Sequence, residues 1–260
     1  MFRHRIFSDR PGRRRVRFAA GFTLMEILIA SCLLLTAMGL TMNFLSGYTK
    51  TSNRALAQTT LEQEQRSALS RIEKELTGAS AVKSSYTDSG VSPAVTYTTG
   101  ANTMVFEVPI YDASGFIITD AAGQQEVDTV VLEAVDDPDQ KNRLKLRSSS
   151  TLARMLRVSV FPALDSNRQL LRNQVVLKHL MPKNTGDNNY SYPASLTSAS
   201  AVPVFSYWDK NWNTVSSMDQ AADIKLQLWN EQEYGRQQIT AHKAFEIRLR
   251  NWKPSATPTP

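Results

Sequence analysis

The 260 residues, 42% hydrophobic and 21% charged, have ordinary globular chemistry, enough for one generous domain or two small ones. The formal charge of +6 is not spread evenly: residues 1–21 hold seven arginines against Asp9, and the remainder balances 23 basic with 23 acidic residues. The body therefore lacks a basic stripe for a phosphate backbone, and no nucleic-acid partner is inferred. Cys32 is the sole cysteine, which excludes an intramolecular disulfide and a cysteine metal cluster.

After the basic leader, Ile27 to Thr49 is a run of 23 residues without a charge. About 20 such residues cross a bilayer core as a helix, so this segment reads as a membrane span. Arginines on its N-terminal side hold that side in the cytoplasm. A cleaved secretory signal would have a shorter apolar core and a small-residue cleavage site, whereas this run continues into a helical pattern. The twin-arginine pattern fits "RRRVRF" poorly, because Arg17 stands where an apolar residue belongs. "IASC" (29–32) has the form of a lipobox, yet Glu26 interrupts the stretch before it and "LLLTAMGLTMNFL" keeps the chain apolar after it.

Glu26 is the anomaly of the segment, since an ionised side chain in the bilayer core costs roughly 2.5 to 3.5 kcal/mol even on mild insertion scales. Its surroundings, "GFTLMEI" (21–27) behind an arginine-rich leader and ahead of an apolar run, resemble the cleavage and methylation signal of the type IV pilin-like family. The resemblance implies cleavage by a prepilin peptidase between Gly21 and Phe22, N-methylation of Phe22, and an assembly role for Glu26. In filaments of that family the glutamate of one subunit meets the N-terminus of a neighbour. A buried carboxylate without such a partner is penalised, so the charge would set axial register as well as attraction.

No proline occurs between Pro11 and Pro93, and helix formers dominate from Phe22 to about Leu76. The expectation is one long helix, with Asn43, flanked by Gly39 and Gly47, as the place where a bend is in question. In its second half Leu56, Leu61, Ala68, Leu69, Ile72 and Leu76 recur at helical spacing among charged residues, which predicts an amphipathic helix with one face to bury. "GASAVKSSYTDSGVSPAVTYTTGANT" reads as a turn-rich linker.

Alternation then replaces the helical period. "MVFEVPI" (104–110) puts Met104, Phe106, Val108 and Ile110 on one face, and "DASG" (112–115) is a turn before "FIIT". "DTVVLEAV", "DDPD" and "RLKLR" read as strand, turn, strand; "RMLRVSVF", "PVFSYWD" with the partner "WNTV", "DIKLQLW" (223–229) and "AFEIRLRNW" (244–252) complete an antiparallel sheet with a polar open face. "LLRNQVVLKHL" suits a strand or a short helix, residues 182–203 form a long polar loop, and "PSATPTP" is a disordered tail.

Catalytic signals are lacking: there is no G-x-S-x-G and no phosphate-cradling glycine loop, and His179 and His242 are too isolated for a triad or a metal. "DDPDQKN", with Asp136, Asp137 and Asp139, lacks the spacing and glycine of an EF-hand and reads as a solvated acidic turn. Tyr207, Trp208 and Trp212 read as packing against the sheet. No cofactor, metal or catalytic residue is expected.

Helix first and strands afterwards is an α+β order, similar to that of pilins. The expected organisation is a cleaved leader (1–21), a transmembrane and assembly helix (22–50), its amphipathic continuation (51–78), a β-rich extracytoplasmic domain (79–253) and a tail (254–260). The resemblance implies a minor pilin or a J-like minor pseudopilin of type II secretion, not an enzyme. Its implied partners are prepilin peptidase, other pilin or pseudopilin subunits, the inner-membrane assembly platform and membrane lipid. The competing expectation is a ligand-binding or enzymatic domain held by an uncleaved signal anchor.

Overall fold

The computed structural model describes residues 23–137, 154–164, 166–180, 204–215, 217–234 and 237–249, with backbone alone at 231–234 and 237–238. Two compact units divide the chain at Ser52 and Asn53 and are described separately. Helix α1 runs over Leu24–Thr77, unbroken at Gly39, Asn43 and Gly47. It is capped by Thr23 and stops at Gly78, after which the chain turns into the sheet with Ser80 N donating to Glu107 O at 2.8 Å.

In the first unit α1 is long and apolar enough to cross a membrane. Its hydroxyls fold back on their own helix: Ser31 donates to Ile27 O, Thr36 to Cys32 O, Thr41 to Ala37 O and Thr49 to Leu45 O. Each of these four hydroxyls thereby finds its acceptor without water, which hydrocarbon surroundings demand. Cys32 is a free thiol on the same helix.

In the second unit α1 buries Leu61, Gln65, Ala68, Leu69, Ile72 and Leu76. Five of these six are the expected apolar positions. Leu56 departs from expectation, being 62% exposed. The buried face begins at Leu61, which meets Ile239 and Ala241 of the sheet, and it includes a polar residue, Gln65, that a hydrophobic count passes over.

Ten strands follow: β1 (Ala81–Lys83), β2 (Ser85–Asp88), β3 (Val95–Thr98), β4 (Thr103–Pro109), β5 (Val127–Asp136), β6 (Arg154–Phe161), β7 (Leu171–Leu180), β8 (Phe205–Trp208), β9 (Asp223–Tyr234) and β10 (Gln237–Arg248). Eight form one antiparallel sheet, β1-β4-β5-β6-β7-β9-β10 with β8 also on β9; β2 and β3 form a separate ribbon. The architecture is α+β, one long helix packed on a largely antiparallel sheet. The stretch between α1 and β4, expected as a linker, in fact contributes three short strands. Its Ser, Thr and Gly content masked the pair Tyr86↔Tyr97, whose rings give that ribbon something to bury.

Alternation decides which side chains go inside. Met104 and Phe106 of β4, Val130 and Leu132 of β5, and Leu156, Val158 and Val160 of β6 face the main core with α1. Full burial of such side chains is worth roughly 1.5 to 3 kcal/mol each, so this core dominates the stability of the unit. Val108 packs only partly against it.

The opposite face is not simply open and polar. Val105, Val131 and Phe161, register partners or neighbours on β4, β5 and β6, form a second cluster under Tyr86 and Tyr97. The Tyr86 and Phe161 rings lie 4.7 Å apart. Arg172 fastens the ribbon through both carboxylate oxygens of Asp88, at 3.1 and 3.3 Å. Gly90 passes so close that a Cβ there would come within 2.7 Å of the Arg172 guanidinium.

"LLRNQVVLKHL" is a strand, β7, whose pairing with β6 shifts register at three places. Asn173 (φ 54) and His179 (φ 61) are left-handed, and the β6–β7 register shifts between its ends. Those two irregularities disturb the period of two and make the sequence ambiguous. "FIIT" supplies only the isolated bridges Tyr111↔Ile117 and Thr119↔Gln125, and "WNTV" only Trp208↔Thr214, so neither is a full strand. "RLKLR", residues 182–203 and the 254–260 tail lie outside the described residues.

Candidate functional site

The sequence-predicted site is the head of α1. Gly21 and Phe22 lie outside the described residues, as does the arginine leader; Glu26 is described. The chain enters the helix through Thr-x-x-Glu, a reciprocal cap. Glu26 N donates to Thr23 Oγ1 at 3.2 Å, while Glu26 Oε2 accepts from Thr23 N at 2.9 Å and from the Thr23 hydroxyl at 3.0 Å. The carboxylate thus first answers its own helix, whose opening N–H groups lack intrahelical acceptors and whose dipole favours a negative charge in the first turn.

All three contacts use Oε2 or the Glu26 backbone, and none involves Oε1. One turn onward, Glu26, Ile27, Ala30, Ser31 and Leu34 line a shallow groove on the helix. Small residues there permit close approach of another helix, and the carboxylate stands at one end of that strip. The arrangement offers a recognition element: a fixed anion beside an apolar, small-residue surface.

The other residues singled out from sequence are scattered. His179 lies in the β7 bulge, and His242 stacks on Trp229 across β9 and β10 with ring centroids 3.8 Å apart. Burial, then the nearby Lys225 charge, lowers the His242 pKa below the usual histidine value. Asp136 ends β5, Asp137 is buried, and Asp139 lies outside the described residues. Among the described residues no group of three or more His, Cys, Asp or Glu is placed to hold a metal ion.

The aromatic trio divides. Tyr207 is buried, its hydroxyl within 3.1 Å of Gly100 O and 3.2 Å of Thr103 O, and burial pushes its pKa up. Trp212 is 53% exposed, contrary to the expected packing, at a turn tip where its φ is 64°. That turn repeats a pattern found twice earlier: Asp112, Asp120 and Asp209 each accept from backbone N–H groups two and four residues on through Oδ1. The left-handed position is glycine in the first two, Gly115 and Gly123, and tryptophan in the third.

Sequence reasoning missed one buried polar pair, Gln65 and Asn230, joined at 2.9 Å between α1 and β9. Its signal was a glutamine inside the apolar face of the helix, at helical spacing from Leu61 and Leu69. No family model, curated protein or solved structure matches this chain.

Proposed function

We propose that the chain is a type IV pilin-like subunit, a minor pilin or minor pseudopilin, cleaved between Gly21 and Phe22 and assembled into a filament through α1. The observation that carries this reading is the carboxylate of Glu26 at the head of a membrane-length apolar helix, shortly after "GF" and an arginine-rich stretch. Cleavage before Phe22 creates an amine one helical turn from Glu26. A neighbour's amine can then reach the oxygen that the Thr23 cap does not use. Such a charge pair is strongly favoured in lipid, where an unpaired carboxylate is costly.

Helix-then-sheet order supports the same reading. The leader holds the N-terminus in the cytoplasm and the β-rich unit lies outside the inner membrane until the subunit enters the filament. Prepilin peptidase, sister subunits and the inner-membrane assembly platform are the partners of this role.

N-terminal mass spectrometry of the protein recovered from membranes tests processing. A chain starting at methylated Phe22 supports the reading, whereas an intact leader sinks it in favour of a tethered domain. Glu26→Gln and Glu26→Val test assembly: both are expected to be cleaved as the parent is, and to enter sheared filaments at least tenfold less.

A further inference from the structure

The turns at Asp112, Asp120 and Asp209 share one backbone frame. Besides the two N–H groups that each carboxylate collects, the fourth residue's N–H closes each turn on the aspartate carbonyl: Gly115 N to Asp112 O at 3.0 Å, Gly123 N to Asp120 O at 2.9 Å and Trp212 N to Asp209 O at 3.0 Å. That fourth residue is left-handed in all three, with φ 83°, 76° and 64°. Glycine takes the conformation freely, whereas a side chain there crowds the backbone carbonyl. The third turn carries a cost that the other two avoid.

Burial does not offset it, for Trp212 is 53% exposed. Its ring meets that of Trp208, with centroids 6.1 Å apart and planes inclined at 47°. Trp208 is half-buried and fixed by the sheet: it pairs with Asp223 of β9 and, across the turn, with Thr214, and its carbonyl accepts from Ala222 N at 2.9 Å. The turn is stiffened in its own right by Asp209 Oδ1, which accepts from Asn211 N at 2.7 Å and Asn213 N at 2.9 Å. Two indoles thus stand on a firm hairpin tip, one of them largely in water. A strained residue that the frame itself does not require points to use.

The neighbouring side chains narrow the ligand. Lys210, Asn211, Asn213 and Thr214 are all exposed and polar. A protein hot spot sits within an apolar patch drained of water, which two rings among polar side chains do not make. A cation stacked on the rings would have the Lys210 ammonium for a neighbour. A nucleic acid would find no basic stripe, since residues 22–260 balance 23 basic with 23 acidic side chains. A sugar suits both parts. In a gluco-configured pyranose the hydroxyls are equatorial and C–H bonds stand on both faces, so a face can stack on indole while the rim meets amide, hydroxyl and ammonium groups.

We propose that Trp212, backed by Trp208, is a carbohydrate platform that takes a β-1,4-linked chain of gluco-configured sugars. One sugar face stacks on the exposed indole, and the polar side chains of the turn bond to the hydroxyl rim.

Calorimetric titration of the full chain, in polyoxyethylene micelles that carry no sugar headgroup, tests the platform with cellohexaose and chitohexaose. Submillimolar binding is expected; a preference for chitohexaose assigns an N-acetylglucosamine chain, and a preference for cellohexaose a glucose chain. Trp212→Gly removes the ring and relieves the turn. It is expected to weaken binding at least tenfold while the thermal midpoint stays level or rises. Failure to bind either sugar overturns the proposal, as does binding that survives Trp212→Gly. A lower midpoint for that variant would make Trp212 a packing residue and also overturns it. So does a decaproline peptide that binds in a Trp212-dependent way where the sugars do not, which would make the rings a peptide site.

Discussion

The two stretches of α1 are one helix written for two solvents. From Leu24 to Ser52 its leucines, isoleucines and methionines are exposed and its hydroxyls bond to the preceding turn; from Asn53 to Thr77 it carries charges outward and buries a narrow apolar stripe against strands. Both are equally helical. The lesson is that helix formation here follows from local propensity, the cap and the lack of proline, while the solvent of each stretch is set by where the apolar side chains sit around the axis.

If that contrast is right, truncating apolar side chains should matter in one unit and not in the other. Phe106→Ala is expected to cost about 3 to 5 kcal/mol in guanidinium unfolding followed by tryptophan fluorescence, because it empties the main core. Leu35→Ala in the span is expected to leave that midpoint unchanged. Comparable losses from both would mean that the two units share one core.

Next in size is the ribbon. Arg172→Ala removes the guanidinium that meets Asp88, itself 6% exposed at its side chain, and is expected to cost about 1 to 3 kcal/mol by the same assay. Loss of near-ultraviolet ellipticity from Tyr86 and Tyr97 would place the damage in the ribbon rather than the core.

Glycines sharpen the comparison by sign. Gly115, at φ +83, should resist alanine, and Gly115→Ala is expected to destabilise by about 1 to 2 kcal/mol in thermal scans. Gly39 lies inside a regular helix with open space around it, so Gly39→Ala is expected to raise the helix content of an isolated span peptide in micelles, by up to about 1 kcal/mol in helix stability. Two losses of the same sign would break the contrast.

The smallest effect is electrostatic and belongs to the sheet alone. Because burial and Lys225 lower the His242 pKa in the folded state, the unfolded chain binds the proton more readily just below the usual histidine value. Stability therefore falls as pH drops through about 6.5 and below. His242→Gln is expected to flatten that part of a pH series of unfolding midpoints, and an unaltered slope would assign it to another group.

Much of this was legible in the residues. The α1 stripe, the core face of β4 and the alternation of β9 and β10 follow from periodicity. What escaped did so for physical reasons. The strands β1 to β3 are too short for periodicity to register, and β2 and β3 bury only a tyrosine pair. Two left-handed residues in β7 broke the alternation that would have marked it as a strand. Gln65 and Asn230 are polar in sequence and wholly internal in the fold, a pairing that only three dimensions reveal. At the head of α1, Glu26 was legible as an oddity, whereas its use of Thr23 as a first partner was not, because a carboxylate in an apolar run draws attention to distant partners first.

The contact between Gln65 and Ala241 spans 176 positions of the chain. Helix α1 precedes every strand, and β10 follows them all. The stripe on α1 can be made at once, but its cover at Leu61 and Gln65 arrives only when the last strand has emerged. A chain with such long closures folds slowly compared with one built from neighbours, and its early segments spend that interval uncovered. Timing is thus built into the strand order: this part of the helix is covered only after β10 has been made.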